Sequence, residues 1–285
     1  MSRPAARVAT LIALVLAGWA PAPVWAQEGA RYVRFALQGD TAYGRVDGST
    51  VHVLSGDFLR GGTPTGSTHA LQDVTLLAPV VPGKVIAVGL NYMSHLGDRG
   101  SATYPGLFAK YPSSISGPEA DIVYPADATD LHYEGELVLV IGKGGKDIAP
   151  EDAWEHIFGA TAGNDVSERA WQRDDLQWLR AKASDGFGPI GPVVATGLDY
   201  GDLLVETRVN GEVRQHQRTT DLIFDIPTIV SYVSRYVTLE TGDLIFTGTP
   251  GTTRAVRPGD VVEVEVEGVG TIRNRVVADT RAPRP

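Results

Sequence analysis

Val33, Phe35 and Leu37 alternate with other residues, and Asp47-Gly48 separates two further short runs, 42–46 and 51–54. Period-two alternation puts one set of side chains on one face, and Asp-Gly favours a tight hairpin turn, so this stretch is predicted to be a small β-meander. Residues 61–69, rich in Gly, Thr and Ser, are predicted to be a loop, and Pro79 and Pro82 punctuate the passage to the rest of the chain. Further apolar or alternating runs predict strands over 85–88, 133–141, 159–164, 193–196, 204–209, 244–247 and 261–266, with a loop or short helix over 89–100. Asn210-Gly211 is a second hairpin signal. Two helices are expected. One starts at Pro150, with Glu151 and Asp152 in its first turn, where the helix dipole favours negative charge. The other places Ile226, Ile229, Val230 and Val233 on one face.

These elements give an α+β, β-rich chain, to which 33 glycines and 18 prolines add many turns. Three segments are expected: 1–26, a small N-terminal β domain over 27–78 with its boundary near Ala78, and a main domain over 79–285. In the first segment Arg3 and Arg7 precede an apolar run over 8–17, and Val24-Trp25-Ala26 offers a cleavage site, the pattern of a secretory signal peptide. A membrane-spanning helix needs about 20 apolar residues, and this run is shorter. A periplasmic or secreted location is therefore expected. Without Arg3 and Arg7 the formal charge of -9 becomes two units more negative, which argues against nucleic acid as a partner. The absence of cysteine excludes disulfides, thiolate metal sites and a Cys nucleophile.

The chemistry concentrates in LHYEGELVLVIG, 131–142. On a strand Glu134, Glu136, Val138 and Val140 share one face, and Tyr133, Gly135, Leu137 and Leu139 the other. Both faces are largely apolar, so the strand is predicted to be buried. Two like charges there need a compensating partner, and a divalent cation would supply it. The chain holds its own contrast: Glu263, Glu265 and Glu267 alternate with Val262, Val264 and Val266, which describes a half-exposed strand with a solvated acidic face. Asp165, in Gly163-Asn164-Asp165-Val166-Ser167, ends a run of small residues and serves equally as a turn aspartate or a third oxygen ligand. Three carboxylates without Cys suit a hard cation, Mg²⁺ with Mn²⁺ or Ca²⁺ as alternatives.

From about Val33 onward the chain resembles the fumarylacetoacetate hydrolase (FAH) superfamily. The motifs that carry the resemblance are VGLNYMSH (88–95), LFAKYPSS (107–114), YEGELVLVIGKGGKDI (133–148), GNDVSERAWQ (163–172), KASDGFGPIGP (182–192), VNGEVRQ (209–215) and GDLIFTGTPGT (242–252), in that order. The resemblance implies an FAH-like mixed β-sheet roll or sandwich, a homodimer, and Glu134, Glu136 and Asp165 as metal ligands. It further implies that His95 activates water with an acid three residues on, which here is Asp98 rather than the usual Glu. Lys182 matches the lysine that stabilises charge on substrate oxygen, and Arg169, Gln172 and Thr249 match substrate-site positions. Lys110 and Tyr92 also lie in matched motifs, where a solvated lysine and a core ring are the bland alternatives. His52, His69, His132, His156 and His216 form no constellation, and His132 is assigned a structural role.

The resemblance thus implies a metal-dependent hydrolase cleaving a carbon-carbon bond in a 2-oxo or β-diketo acid. On the same site stands the alternative of a 2-oxo diacid decarboxylase or isomerase. A different class, a periplasmic metal- or small-acid-binding protein without turnover, is also compatible with the sequence.

Overall fold

The computed structural model describes residues 29–98, 100 and 102–280. The predicted signal segment lies outside them.

Two sheets face each other across the main core. Among the described residues the larger has 12 strands, and the smaller runs Glu212–Arg218, Leu204–Val209, Val261–Val266, Gly270–Ala278 and Ile122–Tyr124. Along the larger sheet the meander Arg31–Leu37, Asp40–Asp47 and Thr50–Leu54 joins, through Arg31↔Ala195 and Tyr32↔Val194, the strand Gly188–Ala195. Next come Ile157–Asn164, Gly135–Ile141, Leu244–Phe246, Val85–Gly89 and Gly106–Lys110. Most pairings are antiparallel, but Leu244–Phe246 and Val85–Gly89 run parallel, so the sheet is mixed. The meander over 31–54 is therefore hydrogen-bonded into the same sheet as Gly188–Ala195 and Gly135–Ile141. The stacked rings of Phe58 and Phe158, centroids 5.5 Å apart, pack across the same junction.

Gly135–Ile141 lies in the middle of the larger sheet, every residue buried. Its Leu137, Leu139 and Ile141 face Val205, Val262, Val264 and the helix Ile226–Tyr236, while Val138 and Val140 pack with Tyr32, Val85 and Phe246 on the opposite side. Burial on both faces is what the unbroken apolar pattern required. The contrast strand Val261–Val266 also behaves as its pattern demands, with Val262, Val264 and Val266 buried and Glu263 and Glu265 only partly covered. The Ile226–Tyr236 helix is capped by Asp225, whose carboxylate accepts the Thr228 N–H, and Ile229, Val230 and Val233 are fully buried.

Three local expectations are corrected. Pro64–Ala70 is a strand on the sheet edge, not a loop. Nearly every one of its residues is exposed, so no hydrophobic alternation marks it, and backbone pairing to Thr50–Leu54 alone defines it. The helix expected from Pro150 is a 3₁₀ turn, Pro150–Asp152, and one α-turn, Ala153–His156, because Ile157 already enters the sheet. The strand expected over 133–141 begins at Gly135, leaving Tyr133 and Glu134 outside the ladder.

Candidate active site

Strand register builds the carboxylate cluster. Gly135 pairs with Asn164 and Glu136 with Gly163, so Glu134 stands beside Asp165, whose N–H donates to the Glu134 carbonyl at 2.8 Å. Asn164 secures the junction from the other side by accepting the Glu134 N–H at 2.9 Å. Glu134, Glu136 and Asp165 are all buried, and one oxygen of each lies within 4.8 Å of the others. They line a cavity of about 430 Å³ together with His95, Arg169 and Lys182.

Basic side chains interlock with these acids. Lys182, buried on the short helix Leu179–Ala183, donates to Glu134 Oε2 and to Asp165 Oδ2, each at 2.6 Å. Lys110, at the end of Gly106–Lys110 and equally buried, donates to Asp165 Oδ1 at 2.6 Å and to the Lys182 and Phe187 carbonyls. Arg169 places Nη2 2.5 Å from Glu134 Oε1, and Gln172 steadies it by accepting from Nη1 at 2.8 Å. The helix that carries Arg169 starts at buried Glu168, whose carboxylate caps Trp171 N–H and also accepts the Asp130 N–H.

Charge compensation at these acids does not fall to a cation alone, contrary to the expectation from the strand pattern. Lys110, Lys182 and Arg169 provide much of it. Burial alone would raise Glu134, but Arg169 and Lys182 outweigh it and hold its carboxyl well below the usual range. Burial likewise acts to lower Lys182, and Asp165 and Glu134 reverse the effect, so its pKa is raised. Lys110 is pushed down, mainly by burial. Glu136 is different. Its hydrogen-bond partner is the Gly248 N–H at 2.7 Å, and burial with the charges of Asp165 and Glu134 pushes its carboxyl well above normal. A buried acid short of counter-charge, with two neighbouring carboxylates and only oxygen donors, fits a hard divalent cation.

Thr249 and Gly248 belong to the TGTP segment that closes one wall. Gly248 has φ 111°, a region open to glycine, and a Cβ there would lie 2.7 Å from Asn91 Cβ. Thr249 is buried and spends its hydroxyl proton on the Gly135 carbonyl at 2.9 Å. Its side chain therefore holds the segment between Glu134 and Glu136, although the residue also lines the cavity.

His95 and Asp98 are not brought together. Residues three apart on a helix would face each other, but Met93–Leu96 ends one residue after His95, and Gly97 turns the chain at φ 58°. Asp98 is exposed. His95 Nδ1 lies instead 2.6 Å from the Gly251 carbonyl, and Nε2 is 3.6 Å from Glu134 Oε1.

His132 is part of the cavity wall, a position its assigned structural role did not convey. Its ring nitrogens bond Thr253 Oγ1 at 2.8 Å and Asp130 Oδ1 at 2.9 Å, and Thr253 in turn accepts from Arg169 at 3.0 Å. Burial, with Arg169 adding to it, lowers the His132 pKa. Its place two residues before Glu134 was the one available signal. Lys110 stands 55 residues from its acid partner, and no spacing rule relates the two.

A mixed two-sheet fold whose central strand carries buried carboxylates into a basic cavity defines a class of small-molecule site, and comparison with known proteins gives that class its family. The model of the fumarylacetoacetate (FAA) hydrolase C-terminal region matches residues 84–277, and that of the Rv2993c-like N-terminal region residues 30–79. The chain belongs to the fumarylacetoacetate hydrolase family. Protein Rv2993c of Mycobacterium tuberculosis is 46% identical over 223 residues, 76% of this chain and 84% of its own. Human mitochondrial oxaloacetate tautomerase FAHD2A is 41% identical over 221 residues, 72% of this chain and 70% of its own. The crystal structure of 2-hydroxyhepta-2,4-diene-1,7-dioate isomerase from Mycobacterium marinum superposes with a TM-score of 0.83 at 39% identity, covering 88% of this chain and all of that one.

Proposed function

We propose that the protein is a divalent-metal-dependent enzyme that enolises a 2-oxo acid, acting as a tautomerase or isomerase. The observation that supports this reading most is the setting of His95. The Gly251 carbonyl can only accept, so Nδ1 carries a proton, and Nε2, 3.6 Å from Glu134 Oε1 at the cavity wall, is the nitrogen that offers a lone pair in the neutral ring. An acid partner for His95 is not needed to fix that tautomer.

Glu134, Glu136 and Asp165 would hold the cation, Mg²⁺ with Mn²⁺ or Ca²⁺ as alternatives. Bound there, it would polarise the 2-oxo group as a Lewis acid. In enolisation His95 Nε2 takes a proton from C-3, and the C–H electron pair becomes the C2–C3 double bond. The carbonyl π pair moves to oxygen, where the Lys182 ammonium stabilises the negative charge. Return of the proton to carbon gives the keto tautomer or a shifted double bond, and no water is consumed. The relatives named as a tautomerase and an isomerase support this choice.

Hydrolysis of a carbon-carbon bond is the second reading, supported by the family's name and by an Nε2 that could equally take a proton from water. Decarboxylation of a 2-oxo diacid would use the same enolate. Export of the mature chain and a homodimer complete the proposal. The deciding experiment follows oxaloacetate and acylpyruvates with protein loaded with Mg²⁺ or Mn²⁺, recording enol absorbance, carbon-carbon cleavage and CO₂ release. Faster enol-keto exchange that stops on chelation supports enolisation. Cleavage products without it would favour hydrolysis, and metal-dependent binding with no product over long incubation would leave a binding protein.

A further inference from the structure

Phe108 stands where two cavities share a wall. Lys182 Nζ lies 5.1 Å from its ring centroid, and Trp178 packs edge-on against it, centroids 5.4 Å apart at 70°. Gly89, Leu90, Phe108 and Trp178 line both the carboxylate cavity and a second one of about 290 Å³. Gly106, Leu107, Leu176 and Gln177 complete the second, and among the described residues no charged side chain lines it.

Two features mark this space as more than a packing gap. Leu90, on the shared wall, holds φ 58°, a left-handed conformation that a leucine rarely takes and that accumulates at ligand sites. Leu176, on the rim, is 96% exposed, so an apolar side chain is left in water beside an apolar cavity.

We propose that the second cavity is a subsite for an apolar substrate tail, so that the protein prefers 2-oxo acids extended by an alkyl or acyl chain over 2-oxo dicarboxylates of the same length. The proposal rests on the reading of the carboxylate cavity as a 2-oxo-acid site. Of the cations lining that cavity, Lys182 and Arg169 are already paired with Glu134 and Asp165, and Arg173 lies 3.6 Å from Asp130. A terminal carboxylate in the second cavity would lose its hydration without gaining a charged partner among the described residues, whereas each methylene placed there leaves water with a gain in affinity.

The test is calorimetric titration of the full chain loaded with Mn²⁺, using straight-chain 2-oxo acids from pyruvate to 2-oxooctanoate, with 2-oxoadipate as the charged counterpart of 2-oxohexanoate. Affinity is expected to rise about threefold to fourfold per methylene and then level off as the cavity fills. 2-Oxoadipate should bind at least tenfold more weakly than 2-oxohexanoate. Leu176→Asp, at an exposed position that folding does not depend on, should flatten the rise relative to pyruvate in the same variant. Leu107→Ala should move the plateau to a longer chain. Pyruvate binding with affinities indifferent to chain length would overturn the subsite and leave the 2-oxo-acid reading standing. Failure of every 2-oxo acid to bind would remove both.

Discussion

The Gln215 amide oxygen accepts the Gly135 N–H at 3.0 Å and so fixes the single residue between Glu134 and Glu136. The same amide donates to Thr249 Oγ1 at 2.7 Å and to the Pro250 carbonyl at 2.6 Å, and the Thr249 hydroxyl returns to the Gly135 carbonyl. Both sides of the glycine are thereby tied to the smaller sheet and the TGTP segment. A Cβ at Gly135 would lie 2.0 Å from Thr207 Oγ1, so the close approach of the two sheets requires glycine.

Gln215→Met keeps length but loses these bonds. Partners that orient metal ligands contribute 10–100-fold in affinity, so Mn²⁺ binding, measured calorimetrically on folded variant, is expected to weaken by about tenfold or more. Thr207→Val, which removes a buried hydroxyl that has no hydrogen-bond partner among the described residues, is the control. Equal Mn²⁺ affinity in Gln215→Met and the unaltered chain would refute the clamp.

Glu136→Gln should separate stability from function. Glu136 suffers burial beside Asp165 and Glu134, while an amide oxygen can still accept the Gly248 N–H. Relief of repulsion among buried carboxylates is expected to raise the melting temperature of the metal-free protein, and the further rise on adding Mn²⁺ should vanish. A variant that still gains stability from Mn²⁺ would show that Glu136 is not a ligand.

Lys182→Met leaves Glu134 and Asp165 short of a cation. Breaking a buried pair costs about 3–5 kcal/mol, so the metal-free variant should melt earlier, with Mn²⁺ restoring more of the loss than it adds to the unaltered chain. On the proposed enolisation, in which Lys182 stabilises the enolate oxygen, its loss should lower kcat by about 10²–10³-fold. A variant with near-normal kcat would exclude Lys182 from the chemistry.

His95→Ala and Asp98→Asn are expected to diverge. Removing a positioned base lowers kcat by about 10²–10⁴-fold, whereas exposed Asp98 makes no contact with His95 and its substitution should cost less than about threefold. Comparable losses in the two variants would instead support a His95–Asp98 pair formed during turnover.

Tyr200 gives a pH dependence away from the site. Its hydroxyl donates to the Ala195 carbonyl at 3.2 Å, and burial pushes its pKa up to about 12. The folded value exceeds the unfolded value near 10, so its stabilising contribution is complete below about pH 10 and is lost as pH rises through 12, roughly 2–3 kcal/mol. Tyr200→Phe should flatten the fall in urea midpoint over that window, and identical slopes would refute the assignment.

Much of the fold was legible because burial leaves a periodic trace. Leu204–Val209 and Val261–Val266 have the bounds their patterns indicated, and the unbroken apolar run around Leu137 and Leu139 correctly marked a strand covered on both faces. Pro64–Ala70 left no such trace, since an edge strand exposed nearly throughout is defined by backbone bonds that any side chain can accompany.

By itself the sequence determined that Glu134 and Glu136, two residues apart, are carried inward by a buried strand, Glu136 on it and Glu134 just before it, because side-chain alternation is a local property of the backbone. Only the tertiary structure decided what surrounds them. Antiparallel register brought Asp165 beside Glu134, separate elements delivered Lys110 and Lys182 to the same acids, and Gly97 turned Asp98 away from His95. Electrostatic compensation depends on distances between segments far apart in the chain, and those distances exist only once the sheets have packed.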